Sequence, residues 1–173
     1  MQISQDGIAL VKRCETCSLT AYPDPQGQKC DQCNIEVKPD GYCPNCGNPC
    51  KGWSCGWGHY GVTPTTVWTQ PQADSTLVSD LTWVESEVNR LVIVPLTQGE
   101  FDALCSFVYN VGAGNFEEST LLRLLNNKDY SGAAAQFQLW DHAGGKVLAD
   151  LLKRRQLEEA EFAAGMSLLN TSE

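Results

Sequence analysis

The sequence predicts an α+β fold, mainly α, built as two lobes of one 173-residue domain. Three observations predict it. Residues 18–61 are rich in Gly, Pro, Cys and Asn with scattered aromatics, the composition of hairpins and turns around short strands. Residues 69–92 then carry Ala73, Leu77, Leu81, Val84, Val88 and Leu91 at three-to-four spacing, one long amphipathic helix. Every later segment repeats the helical period. The expected division is a small β-hairpin lobe over 13–68, a connecting helix over 69–92, and a helical lobe over 93–173 completed by 1–12. A cleft is expected where the lobes join.

In chain order, Ile3, Ile8, Leu10 and Val11 with Ser4 as N-cap predict a short helix over 3–12, ending near Glu15. Pro71 is tolerable in the first turn of the long helix. Pro95 and Thr97 end it and begin another over 98–109, apolar at Phe101, Leu104, Phe107 and Val108. The stretch N-V-G-A-G-N-F reads as a turn. Segments 119–126, 130–141 and 147–164 read as helices, with Leu121, Leu122, Leu124 and Leu125 as core, and residues 170–173 are expected to fray.

Composition narrows the function. Hydrophobic content of 42% and charged content of 19% are those of a globular chain. Net charge is −9 and the longest basic run is Lys153–Arg155, so no phosphate-binding face is advertised and no nucleic-acid partner is expected. No apolar run is long enough to span a bilayer, so no membrane insertion is expected. M-Q-I-S-Q-D-G lacks the basic and apolar regions of a secretory signal, and the expectation is a chain made in the cytoplasm without one. A monomer is expected.

Glu15 and Asp24 stand nine residues apart in K-R-C-E-T-C-S-L-T-A-Y-P-D-P, and W-S-C-G-W-G-H follows at residues 53–59. Two carboxyl groups flanking a sugar are the usual means of glycosidic cleavage, one protonated and one ionised. At the end of the first helix, Glu15 is placed for desolvation, which keeps a carboxyl protonated. Asp24, between Pro23 and Pro25, is expected to stay solvated.

These segments resemble the bacteriophage-type lysozymes, glycoside hydrolase family 24, in which E-G-x-x-L-x-A-Y-x-D is followed by T-I-G-Y-G-H. E-F-D-A-L-C-S-F-V-Y-N-V-G-A-G-N-F, S-T-L-L-R-L-L-N and L-L-K-R-R-Q-L-E-E-A-E-F are similar to that family's helical-lobe motifs. The resemblance implies a lysozyme-like fold and an endolysin-like muramidase acting on the bacterial cell wall. Its reaction would be hydrolysis of the β-1,4 bond between N-acetylmuramic acid and N-acetylglucosamine in peptidoglycan. It implies Glu15 as general acid, Asp24 and Ser54 holding the attacking water, and inversion at the anomeric carbon.

It further implies Asn110 as a polar cleft residue, Trp140 packed beneath the site, and His59 as the structural partner of Asp80. Trp57 and Tyr60 (with Trp53) are either sugar platforms or lobe packing. Arg154 and Arg155 are read as a solvated helix face. The chain departs from the family pattern at Cys14, Thr16, Ser54 and Asp150. Thr16, Ser54 and the cysteine-rich insert motivate the alternative of a non-catalytic peptidoglycan-binding protein on the same scaffold. Lytic transglycosylase chemistry needs no catalytic water, and Asp24 argues against it.

The nine cysteines are concentrated in one stretch, eight of them between Cys14 and Cys55. Cys30 and Cys33, nine intervening residues, then Cys43 and Cys46 in C-P-N-C-G resemble a short zinc ribbon. A closed structural zinc would supply folding energy that so polar a loop lacks, while no cofactor is expected in catalysis. A pair of disulfides or plain thiols is the other reading. Cys14, Cys17, Cys50 and Cys55 are left between a second metal site, a disulfide and buried packing. Cys105 belongs to the core.

Overall fold

A computed structural model describes residues 1–24, 33, 35, 42–47, 52–143 and 146–169. The chain packs as two compact units, Met1–Cys14 with Leu81–Glu173, and Glu15–Asp80. The boundary between them falls inside the long helix, so the first half of that helix belongs to the smaller unit.

The smaller unit is a three-stranded antiparallel sheet in sequence order: β1 (Ser18–Pro23), β2 (Trp53–Gly56) and β3 (His59–Tyr60). Ser18 pairs with Gly56, and Tyr22 with Ser54, across an irregularity in β1. The other edge of β1 is covered by 66–68, through Ala21 N–H to Thr66 O at 2.9 Å and Trp68 N–H to Leu19 O at 2.8 Å. Gly56 has φ 66°, and a Cβ there would lie 2.8 Å from the Trp68 ring and 3.2 Å from Ala73. Both the left-handed backbone and the close approach demand glycine at the end of β2. The first half of α2 (Gln70–Leu91) completes this unit and buries Ala73 and Leu77.

The larger unit is helical around α3 (Gln98–Val111), which is buried from Glu100 through Val108. That unbroken run of burial, Glu100, Asp102 and Ser106 included, means the helix is surrounded. It packs against α7 (Ala149–Leu169) and against α1 (Gln5–Cys14). Thr97 accepts from Glu100 N–H at 3.3 Å and Glu100 accepts from Thr97 N–H at 2.7 Å, a reciprocal cap that sets where α3 begins. Ser4 caps α1 as expected, accepting from Gly7 N–H at 3.1 Å. The second half of α2 adds Val84, Val88 and Leu91 to a core centred on Phe101, Phe107, Phe116, Phe137 and Phe162. The α4 (Ala113–Glu117), α5 (Thr120–Asn126) and α6 (Tyr130–Gln136) helices and a 3-10 turn, Phe137–Trp140, wrap it.

Four details differ from the sequence reading. The stretch expected as a turn contains α4. The helix expected over 130–141 tightens into the 3-10 turn after Gln136. Between it and α7 lies a small hairpin, β4 (His142–Ala143) with β5 (Lys146–Val147), so the chain beyond residue 70 is not wholly helical. Finally, Arg154 and Arg155 are buried, not solvated. Glu158, one helical turn on from both, offers each guanidinium a carboxylate, which makes burial tolerable.

Candidate active site

The sheet register brings Asp24 and Ser54 together. Because Tyr22 and Pro23 stand opposite Ser54 and Trp53, the chain leaves β1 beside the start of β2, and Asp24 N–H donates to Gly52 O. The Ser54 hydroxyl donates to Asp24 Oδ2 at 3.1 Å. Ser54 is 0% exposed, so that short side chain is held by its surroundings and not by chance of rotamer. Two residues thirty positions apart are thus joined by one hydrogen bond beside a strand pairing.

Tyr22 joins them and is absent from the predicted set. It faces Ser54 across the sheet, and burial holds its phenol above the ordinary tyrosine value. The negative charges of Asp24 and Glu15 add to that rise, while a hydrogen bond with Ser54 opposes it. Both carboxyl groups therefore act on one phenol. The sequence signal was proximity: Tyr22 stands two residues before Asp24, which directly follows the end of β1. Glu15 itself opens the smaller unit, one residue past the end of α1.

The β2–β3 hairpin places the aromatic candidates. Tyr60 pairs with Ser54 from the far side of β2 and is 46% exposed, so it presents a ring face to solvent beside the site. Trp57, at the hairpin turn, donates its indole N–H to Asp74 Oδ1 at 2.8 Å, and Gln70 donates to the same oxygen at 2.9 Å. That fixes Trp57 to the first half of α2. His59 Nδ1 lies 2.9 Å from both oxygens of Asp80, with its ring 5.6 Å from the Trp68 ring. A carboxylate can only accept, so Nδ1 carries the proton.

The remaining candidates lie in the helical unit. Asn110 is the next-to-last residue of α3, and its side-chain oxygen accepts from Arg155 Nη2. Trp140 packs edge-on against Phe107, centroids 5.3 Å apart. Of the cysteines, Cys33, Cys43 and Cys46 bring their sulfurs within 4.8 Å of one another, while Cys30 and Cys50 lie outside the described residues. Cys55 is fully buried with Sγ toward Ser18 O at 3.4 Å, and Cys17 meets the Gln70 side chain. Burial pushes the Cys105 thiol far up, which makes it an inert core residue.

Comparison with known proteins gives this geometry its context. A model of the phage lysozyme family matches residues 37–158. The endolysin of Acyrthosiphon pisum secondary endosymbiont phage 1 is 38% identical over 167 residues, covering 94% of this chain and 98% of that protein. The endolysin of Bacillus phage PZA is 39% identical over 167 residues and 95% of this chain, which spans 56% of its length. Among solved structures, the muramidase domain of SpmX from Asticaccaulis excentricus superposes with a TM-score of 0.74 at 31% identity. It covers 93% of this chain and 97% of its own. With a family model matched over more than half its length and a relative paralleled almost end to end, the chain belongs to the phage lysozyme family.

Proposed function

We propose that the chain is an endolysin-like muramidase that cleaves the β-1,4 bond between N-acetylmuramic acid and N-acetylglucosamine with inversion. Lysozyme-type hydrolysis of peptidoglycan follows from the family; the bond cleaved and the residue roles are the reading advanced here. The observation that carries it is the Ser54–Asp24 hydrogen bond, because it builds a water-holding pair from two segments far apart in sequence.

In this reading Glu15 gives its proton to the glycosidic oxygen as the bond to the anomeric carbon breaks. A water between substrate and Asp24 attacks the opposite face and loses its proton to the Asp24 carboxylate. Ser54, fully buried, donates to Asp24 and so helps to orient the carboxylate that holds the water. Tyr60 offers a platform for a sugar ring, and Trp57 is a rigid neighbour. Asn110, its oxygen engaged by Arg155, would meet a sugar hydroxyl through its amide nitrogen. The partner proposed is the wall polymer alone, met by a monomer. Among the described residues no helix is long and apolar enough to cross a membrane.

Digestion of purified peptidoglycan followed by product-end analysis tests the reaction. The expected products carry new reducing N-acetylmuramic acid ends, formed first as the α anomer. Anhydro-muramic ends would replace hydrolysis by transglycosylation, and wall binding with no new ends would establish the non-catalytic alternative. Position 54 gives a finer test. Ser54→Ala should lower kcat about 10- to 100-fold, the effect of losing one positioning hydrogen bond of roughly 1–3 kcal/mol. Ser54→Thr should retain or raise activity. An alanine variant with unchanged kcat would remove Ser54 from the mechanism.

A further inference from the structure

The Cys33, Cys43 and Cys46 sulfurs converge to within 4.8 Å of one another, and Cys43 is buried. Among the described residues these form the one group of three with metal-ligand donors so placed. We propose that they bind a single zinc ion as thiolates, and that the ion braces the strand carrying Ser54. This goes beyond peptidoglycan hydrolysis and does not depend on it.

The local backbone is shaped for such an ion. Residues 44–46 make a turn closed by Gly47 N–H to Cys43 O at 2.9 Å, with Gly47 at φ 70°. The turn brings the Cys43 and Cys46 sulfurs close together, and the left-handed glycine then redirects the chain beyond it. Asn45 sits between them and donates twice to sulfur: its backbone N–H to Cys43 Sγ at 3.4 Å, and its amide nitrogen to Cys33 Sγ at 3.4 Å. Donors aimed at sulfur lower the cost of holding it as an anion.

Three converging sulfurs suit a metal better than a disulfide, which joins two and leaves the third over. Thiolates about 2.3 Å from a tetrahedral zinc stand roughly 3.8 Å apart, so closing the site needs a contraction of about 1 Å. Each thiol releases its proton to solvent as its sulfur takes up a coordination position. A fourth position remains for a further donor.

The ion also has something to hold. Tyr42, next to Cys43, sets its ring edge-on to Trp53 with centroids 6.4 Å apart. Trp53 opens β2, one residue before Ser54. A cross-linked turn therefore leans on the strand that positions the Ser54–Asp24 pair, in a segment whose polar composition provides little apolar packing of its own.

Metal analysis of the purified full chain under reducing conditions tests this directly. The expected content is about one zinc per chain, falling below roughly a tenth in Cys43→Ser and Cys46→Ser and unchanged in Cys17→Ser. Cobalt(II) in place of zinc should give thiolate charge-transfer bands and the intense visible bands of tetrahedral coordination. A chelator should lower the wild-type unfolding midpoint by about 5 °C and leave that of Cys46→Ser unmoved. Less than about half an equivalent in protein whose thiols all titrate as reduced would overturn the proposal. So would metal retained by both serine variants. Neither result touches the muramidase reading, because metal content is measured without reference to hydrolysis.

Discussion

Glu15→Gln is expected to abolish wall lysis while leaving the fold intact. Glutamine keeps the size of the side chain and its capacity to donate a hydrogen bond, but has no acidic proton to give. General acid catalysis is worth roughly 10²- to 10⁴-fold, and a glycosidic oxygen is a poor leaving group without it. Turbidity loss of purified cell walls reports the activity, and circular dichroism with an unfolding curve reports the fold. The variant should bind wall with near wild-type affinity, since the substitution removes a transition-state interaction and little ground-state contact. Lysis at the wild-type rate would sink the assignment of Glu15. Asp24→Asn makes a sharper companion, because it keeps an oxygen that can accept from the Ser54 hydroxyl but removes the base for the water's proton.

Glu158→Ala is expected to be the most damaging substitution to stability. Glu158 is fully buried and faces Arg155 Nη1 at 3.0 Å, Arg154 Nε at 2.9 Å and the Ser106 hydroxyl at 2.7 Å. Arg155 is 0% exposed, reaches on to Asn110, and lies with its guanidinium carbon 4.9 Å from the Phe107 ring centroid. Burial pushes the Glu158 carboxyl up, and the two guanidiniums pull against it. Alanine would take away the buried carboxylate that both guanidiniums share, for a loss of about 3–5 kcal/mol. In a chain of this size that lowers the unfolding midpoint by roughly 6–20 °C. Urea denaturation should show the shift in midpoint without a change in slope. A loss below about 1 kcal/mol would mean the arginines find other partners. Because Asn110 depends on Arg155, activity should suffer with stability.

The contrast between these two sites shows how far sequence reasoning reached. The helices were legible because their apolar residues recur at the helical period and their caps use recognisable chemistry, as at Ser4 and at Thr97 with Glu100. Glu15, Asp24 and Ser54 were legible through motif resemblance, which reports chemistry without geometry. Tyr22 was overlooked although it stands inside the same motif, because a phenol carries no signature of the role that charged neighbours give it. Arg154 and Arg155 were misjudged because hydropathy treats a cation as solvated until its partner is known, and here that partner is one helical turn away. The hairpin of β4 and β5 is too short for any period to register.

Glu15 and Asp24 illustrate what each level contributed. The chain alone specified the helical period, the caps, the motifs and the doubled C-x-x-C spacing, because these are properties of neighbours along the backbone. Strand register brought Ser54 to Asp24, helix packing buried the Arg–Glu cluster, and the Cys33 sulfur met those of the 43–46 turn. Ser54 with Asp24, Ser106 with Glu158, and Cys33 with Cys43 are pairs ten or more positions apart. No local preference encodes them, since they arise only when apolar faces are buried and every enclosed polar group finds a partner.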